Sequence, residues 1–183
     1  KDRDLLIQRF CDKLVEIRGY DCVWILLLDE HREIVSQASA GCMQNDPAEA
    51  ILRKKSRSWG CVKEALQSSD VFVFNRTSKL CTKCPVQYDH CQRSAMIKRL
   101  EYNQFIHGVL WVSLDEAFAG ERKEQELFEE LANDLALSLH NKLIEERGRE
   151  ADEKIRLTEE RYRHLFDHVP IGLYVSQPDG TIV

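Results

Sequence analysis

Apolar positions along the chain change period several times, and each change marks an element. Leu6, Phe10, Leu14 and Ile17 recur at helical spacing, predicting an amphipathic helix over 1–18 that stops at Gly19. "DCVWILLLD" is apolar on both faces, as a central strand is, and "IVSQASA" after the polar "EHRE" turn reads as its antiparallel partner. "NDPAEAILRKKSRS" opens on a cap at Asp46 with Pro47 behind it, and "WGCVKEALQSSD" reads as another short helix. "VFVF" is a short strand, followed by a polar loop from about 75 to 93. "SAMIKRLEYNQFIHGVLWVSL" reads as a hairpin turning near Glu101–Gln104. A nearly continuous helix is predicted from about Ala119 to Leu165. Antiparallel strands with helices grouped around them make an α+β layout.

The long helix changes character partway. Phe128, Leu131, Ala132, Leu135, Leu139 and Leu143 form an apolar stripe suited to packing on a sheet. "EERGREADEKIRLTEER" beyond it is mostly charged, yet Ile144, Gly148, Ala151, Ile155, Thr158, Tyr162 and Leu165 alternate by four and three. So thin a stripe predicts a weak or switchable parallel two-helix coil rather than a stable one. The competing reading is a solvated helix without a partner, which has little to hold it.

Composition narrows the function classes. A net charge of -5 with no basic block argues against a nucleic-acid backbone as partner. No apolar run is long enough to cross a bilayer, and the charged "KDRDLLIQRF" opening is unlike a signal peptide. The missing initiator Met and the abrupt "DGTIV" end suggest a piece of a larger protein. Seven cysteines, an odd number, fit a reducing cytoplasm better than a secreted disulfide framework.

Three of those cysteines sit in "CTKCPVQYDHC". The C-x2-C spacing of Cys81 and Cys84 lets two thiolates hold one ion from a tight turn stiffened by Pro85. Cys91 can supply a third ligand, and Cys61 or His90 a fourth, a set suited to zinc or an iron–sulfur cluster. Lys79, Lys83 and Arg93 would favour thiolates, so a thiol redox switch is the competing reading and a plain loop the bland one. Covalent haem of the C-x2-C-H type is excluded by Pro85, and haem held otherwise through His107 is a lesser option. Cys11 and Cys22 read as core filler, and Cys42 has no assignment. A pocket is expected between the sheet and the short helices, with Trp59, Cys61, Phe72, Phe74, Met96, His107 and Trp111 as candidate liners, though aromatics at such places are more often core.

From Leu5 to about Leu143 the sequence resembles a GAF domain, most specifically over "KRLEYNQFIHGVLWVSLDEAFAGERKEQELFEELANDLALSLHN". "CTKCPVQ" resembles the Cys-x-x-Cys-Pro loop of a subgroup found in sensor kinases. From about Glu159, "EERYRHLFDHVPIGLYVSQPDGTIV" resembles the entry of a PAS domain. The resemblance implies a GAF sensor domain over 1–143, with a GAF-like antiparallel sheet, helices on both faces and a long C-terminal helix extending out of the domain. A charged signalling helix would follow over 144–162, then the start of a PAS domain over 163–183. It also implies a cytoplasmic sensory module, not itself an enzyme, dimerising through its terminal helices. A small-molecule or redox signal would pass to downstream PAS and output domains, as in a histidine kinase. The cyclic-nucleotide and bilin signatures of the family are missing. An enzymatic alternative is the GAF branch that reduces free methionine sulfoxide with loop cysteines, for which Cys61, Cys81, Cys84 and Cys91 would be the thiols.

Overall fold

The computed structural model describes residues 2–41, 60–74 and 93–168. The chain divides into two compact units, Lys1–Lys142 and Leu143–Val183. The first is built on a five-stranded antiparallel sheet in the order β2-β1-β5-β4-β3. Its strands are β1 (Cys22–Leu28), β2 (Ile34–Ala40), β3 (Phe72–Phe74), β4 (Ser94–Tyr102) and β5 (Phe105–Leu114). Apolar on both faces, β1 lies between β2 and β5, as its composition predicts.

Helix α1 (Asp2–Lys13) continues as a π-turn, Leu14–Arg18, closed by Gly19 in the left-handed conformation. The wider π-turn shifts the phase of the apolar face. Ile7, Cys11 and Leu14 are the buried positions, Leu6 and Phe10 are partly buried, and Ile17 stays 71% exposed, unlike the face expected from spacing alone. Helix α2 (Gly60–Gln67) buries Cys61, Val62 and Ala65. Asp115 caps the short α3 (Glu116–Ala119) by accepting a hydrogen bond from the Ala117 N–H at 2.9 Å. Helix α4 then runs Arg122–His168. None of the helices among the described residues is long and apolar enough to cross a membrane.

Alternation along the strands splits the core in two. On one face Val23, Ile25, Leu27, Met96, Leu100, Leu110 and Val112 pack under Ile7 and Cys11 of α1 and Phe128, Ala132, Leu135 and Leu139 of α4. On the other, Cys22, Trp24, Leu26, Ala95, Ile97, Val109 and Trp111 pack under α2. The first unit therefore has the α+β architecture with helices on both faces. At the junction, Glu124 in the first turn of α4 accepts from the Tyr20 hydroxyl at 2.6 Å and pairs with Arg18 at 2.7 Å. Burial and the Glu124 carboxylate push the Tyr20 hydroxyl well above its ordinary pKa.

Candidate functional site

The α2 face of the sheet carries the aromatic and sulfur chemistry. Trp24 on β1 and Trp111 on β5 are directly paired across the strands. Their rings stack at 5.3 Å with 15° between planes. The sequence marks Trp111 as a candidate liner but not Trp24, because only the β1–β5 register brings the two together. Phe72 and Phe74 pack half-buried against the same cluster from the edge strand. Cys61, at the start of α2, is a thiol only 2% exposed within it.

Cys22 belongs to this cluster and is disulfide-bonded. Its reading as core filler holds for the packing, at 1% exposure, and the disulfide is additional to it. Cys11 does behave as filler. It is fully buried on the sheet-facing side of α1, and burial pushes its thiol up to about 12, far from nucleophilic at neutral pH.

Two of the expected pocket liners face the other way. Met96 alternates with Ala95 and Ile97, so it lies under α1 and α4, completely buried. His107 would face α2 by simple alternation from Val109. The register slips between Leu100 and Glu101, where Leu100 pairs with Gly108 but Glu101 with Ile106, so His107 is the extra residue of a β-bulge. Its ring meets His140 of α4 edge-on at 5.5 Å. The sheet therefore separates Met96 and His107 from Trp111, Phe72, Phe74 and Cys61. Gly108 beside the bulge is required sterically: a Cβ there would lie 1.8 Å from the Leu26 carbonyl oxygen of β1.

His140 is further enclosed by Tyr102 at 5.1 Å and Phe105 at 5.7 Å, from the two ends of the β4–β5 turn. His107 Nε2 and His140 Nδ1 are buried and find no hydrogen-bond partner among the described residues. Burial, then the neighbouring His140 and Arg3, lower the His107 pKa to about 4, so the imidazole is neutral at physiological pH. Nearby, Lys98 is 4% exposed, yet partnered: its Nζ donates to the Ser69 carbonyl and to Glu129 of α4 at 2.9 Å.

Trp59, Cys81, Cys84, His90 and Cys91 lie outside the described residues, as does Cys42. Of the proposed sulfur ligands, only Cys61 is described. No group of three or more His, Cys, Asp or Glu suited to a metal occurs among the described residues. The strand ends that flank the cysteine segment are adjacent, since Phe74 of β3 pairs with Ala95 of β4.

No protein-family model matches the sequence, and no curated protein matches it. Solved structures do. A GAF domain/HD domain protein from Geobacter sulfurreducens is similar at a TM-score of 0.61 and 12% identity, over 78% of this chain and 95% of that one. The GAF domain of a phosphoenolpyruvate-protein phosphotransferase from Coxiella burnetii has a TM-score of 0.62 at 12% identity, over 79% and 86%. A type II free methionine-R-sulfoxide reductase from Thermoplasma acidophilum has a TM-score of 0.58 at 16% identity, over 76% and 94%. At these identities the likeness establishes the fold, which is that of GAF domains.

Proposed function

We propose that the chain is a cytoplasmic sensory and ligand-binding module of a signal-transduction protein, with a cysteine-centred metal or redox site as its input. One observation carries this reading. A disulfide-bonded Cys22 and a reduced, buried Cys61 share a packed cluster with the Trp24–Trp111 stack, on the sheet face opposite α4. Sulfur in two oxidation states beside an aromatic wall suits a site that responds to thiol oxidation or to a soft metal. Cys81, Cys84 and Cys91 would complete it, with Cys61 as the remaining ligand. Zinc would act structurally there; an iron–sulfur cluster would add redox sensitivity. Phe72, Phe74 and Trp111 would wall a small-molecule pocket on the same face.

The output follows from the packing. A change at the α2 face acts on β1 and β5, whose opposite faces hold α4 through Phe128, Ala132 and Leu135. The helix would pass the change to a PAS domain beginning near 163 and to an output domain, as in a histidine kinase, within a homodimer joined by the terminal helices.

Metal, iron and sulfide analysis of anaerobically purified protein, with an absorption spectrum, tests the input. Stoichiometric metal that disappears in Cys81→Ser and Cys84→Ser is the expected result for a metal site. Reversible thiol titration that alters Cys22 pairing is the result for a redox switch. A protein that shows neither result would sink the cysteine reading. The similarity to a methionine sulfoxide reductase, together with the Cys22 disulfide, supports a second reading as a thiol-dependent reductase. Turnover of free methionine sulfoxide with a thiol reductant would establish it.

A further inference from the structure

The second half of α4 exposes its apolar positions. Ile144, Ile155, Tyr162 and Leu165 are each at least half exposed, and Gly148, Ala151 and Thr158 are exposed as well. Written as heptads, Gly148, Ile155 and Tyr162 occupy a, while Ile144, Ala151, Thr158 and Leu165 occupy d. The charges flanking this stripe are sorted by sign. All three g positions are basic: Arg147, Lys154 and Arg161. The e positions Glu145, Asp152 and Glu159 are acidic, and the last is Phe166. The ion pairs of Arg156 with Glu153 and Glu160, at 2.6 Å each, lie at the outward b and f positions.

Such sorting has opposite consequences for the two ways of pairing helices. In a parallel, in-register pair, each g residue faces the e residue of the following heptad of the other chain. Arg147 then meets the partner's Asp152, and Lys154 meets the partner's Glu159, on both sides of the seam. Arg161 meets the partner's Phe166, whose ring can take a guanidinium on its face. In an antiparallel pair g faces g and e faces e, so base meets base and acid meets acid. A slip by one heptad keeps four acid–base contacts, as Arg147 then meets Glu145 or Glu159, but it shortens the apolar seam.

We infer that the Glu145–Phe166 stretch of α4 docks on the same stretch of a second copy of this chain, parallel and in register, with Arg147–Asp152 and Lys154–Glu159 as the pairs that select orientation and the length of the apolar seam selecting register. This rests on the dimer reading above and adds to it the residues that choose the partner. The weak a and d positions supply little affinity, so the charges contribute a large share of it, and association weakens as salt approaches about 1 M.

The test uses the whole chain in sedimentation and dye-exchange measurements. Arg147→Glu with Lys154→Glu turns all four acid–base contacts into acid on acid, and is expected to weaken dimerisation about tenfold or more. A fully reversed variant, Arg147→Glu, Lys154→Glu, Asp152→Lys and Glu159→Lys, is expected to self-associate within about threefold of wild type. It should form mixed dimers with wild type about tenfold less often than random pairing, because parallel mixing sets like against like. Random mixing, preferential mixing, or failure of the reversed variant to self-associate would overturn the inference while leaving the dimer intact. A wild-type chain that is monomeric at high concentration would overturn both.

Discussion

The two halves of α4 belong to one helix and are held by different physics. Up to Lys142, Phe128, Ala132, Leu135 and Leu139 are at most 1% exposed and form part of the sheet's core. Beyond it, Ile144, Ile155, Tyr162 and Leu165 are 50% to 61% exposed, and the described contacts are largely ion pairs along the helix surface. Both halves are helical because both are rich in helix formers. Among the described residues, only the first is packed into a hydrophobic core. Helical periodicity alone therefore says that a stripe exists and not whether its own domain covers it.

The sharpest break between the halves is a truncation made in each. Phe128→Ala should cost about 3–5 kcal/mol of unfolding free energy, measured by chemical denaturation, since it opens a cavity in a closed core. Ile155→Ala should leave that transition within about 0.5 kcal/mol while lowering the dimer fraction in sedimentation. Equal losses of stability in the two variants would mean that the second half is packed as well as the first.

Next in size is a pH effect confined to the first half. The His107 pKa is lowered to about 4 from 6.5. The unfolded chain therefore takes up a proton below pH 6.5 that the folded chain refuses until about 4. Stability from this group is complete above 6.5 and is lost as pH falls through that window. The loss is at most about 3 kcal/mol at roughly 1.4 kcal/mol per unit. His107→Gln should flatten the slope of unfolding free energy against pH there. An unchanged slope would assign it to other groups. The smallest expected effect lies in the second half. Arg156→Ala should reduce far-UV helicity slightly at low salt, a difference that disappears at high salt; a salt-independent loss would point to something besides ion pairing.

Sequence reasoning succeeded where the physics is local. The β4–β5 turn at Asn103–Gln104, the interior position of β1, α2 and the long helix all follow from periods and turn residues. It failed at the site where assignment depended on a sheet face. Met96 and Trp111 are equally apolar, and only strand parity separates them. For His107 even parity misleads, because one extra residue opposite Leu100 turns its ring to α4. No local signal marks that bulge except Gly108, whose need becomes visible once β1 lies against it.

By itself, then, the amino-acid order determined the elements, the α+β class and the two-part character of the terminal helix, because backbone periodicity and charge are properties of neighbours in the chain. The tertiary structure decided the Trp24–Trp111 stack, the disulfide-bonded state of Cys22, and the meeting of His107 with His140. The stack and the histidine pair each join residues far apart in sequence, through a register that no single segment encodes.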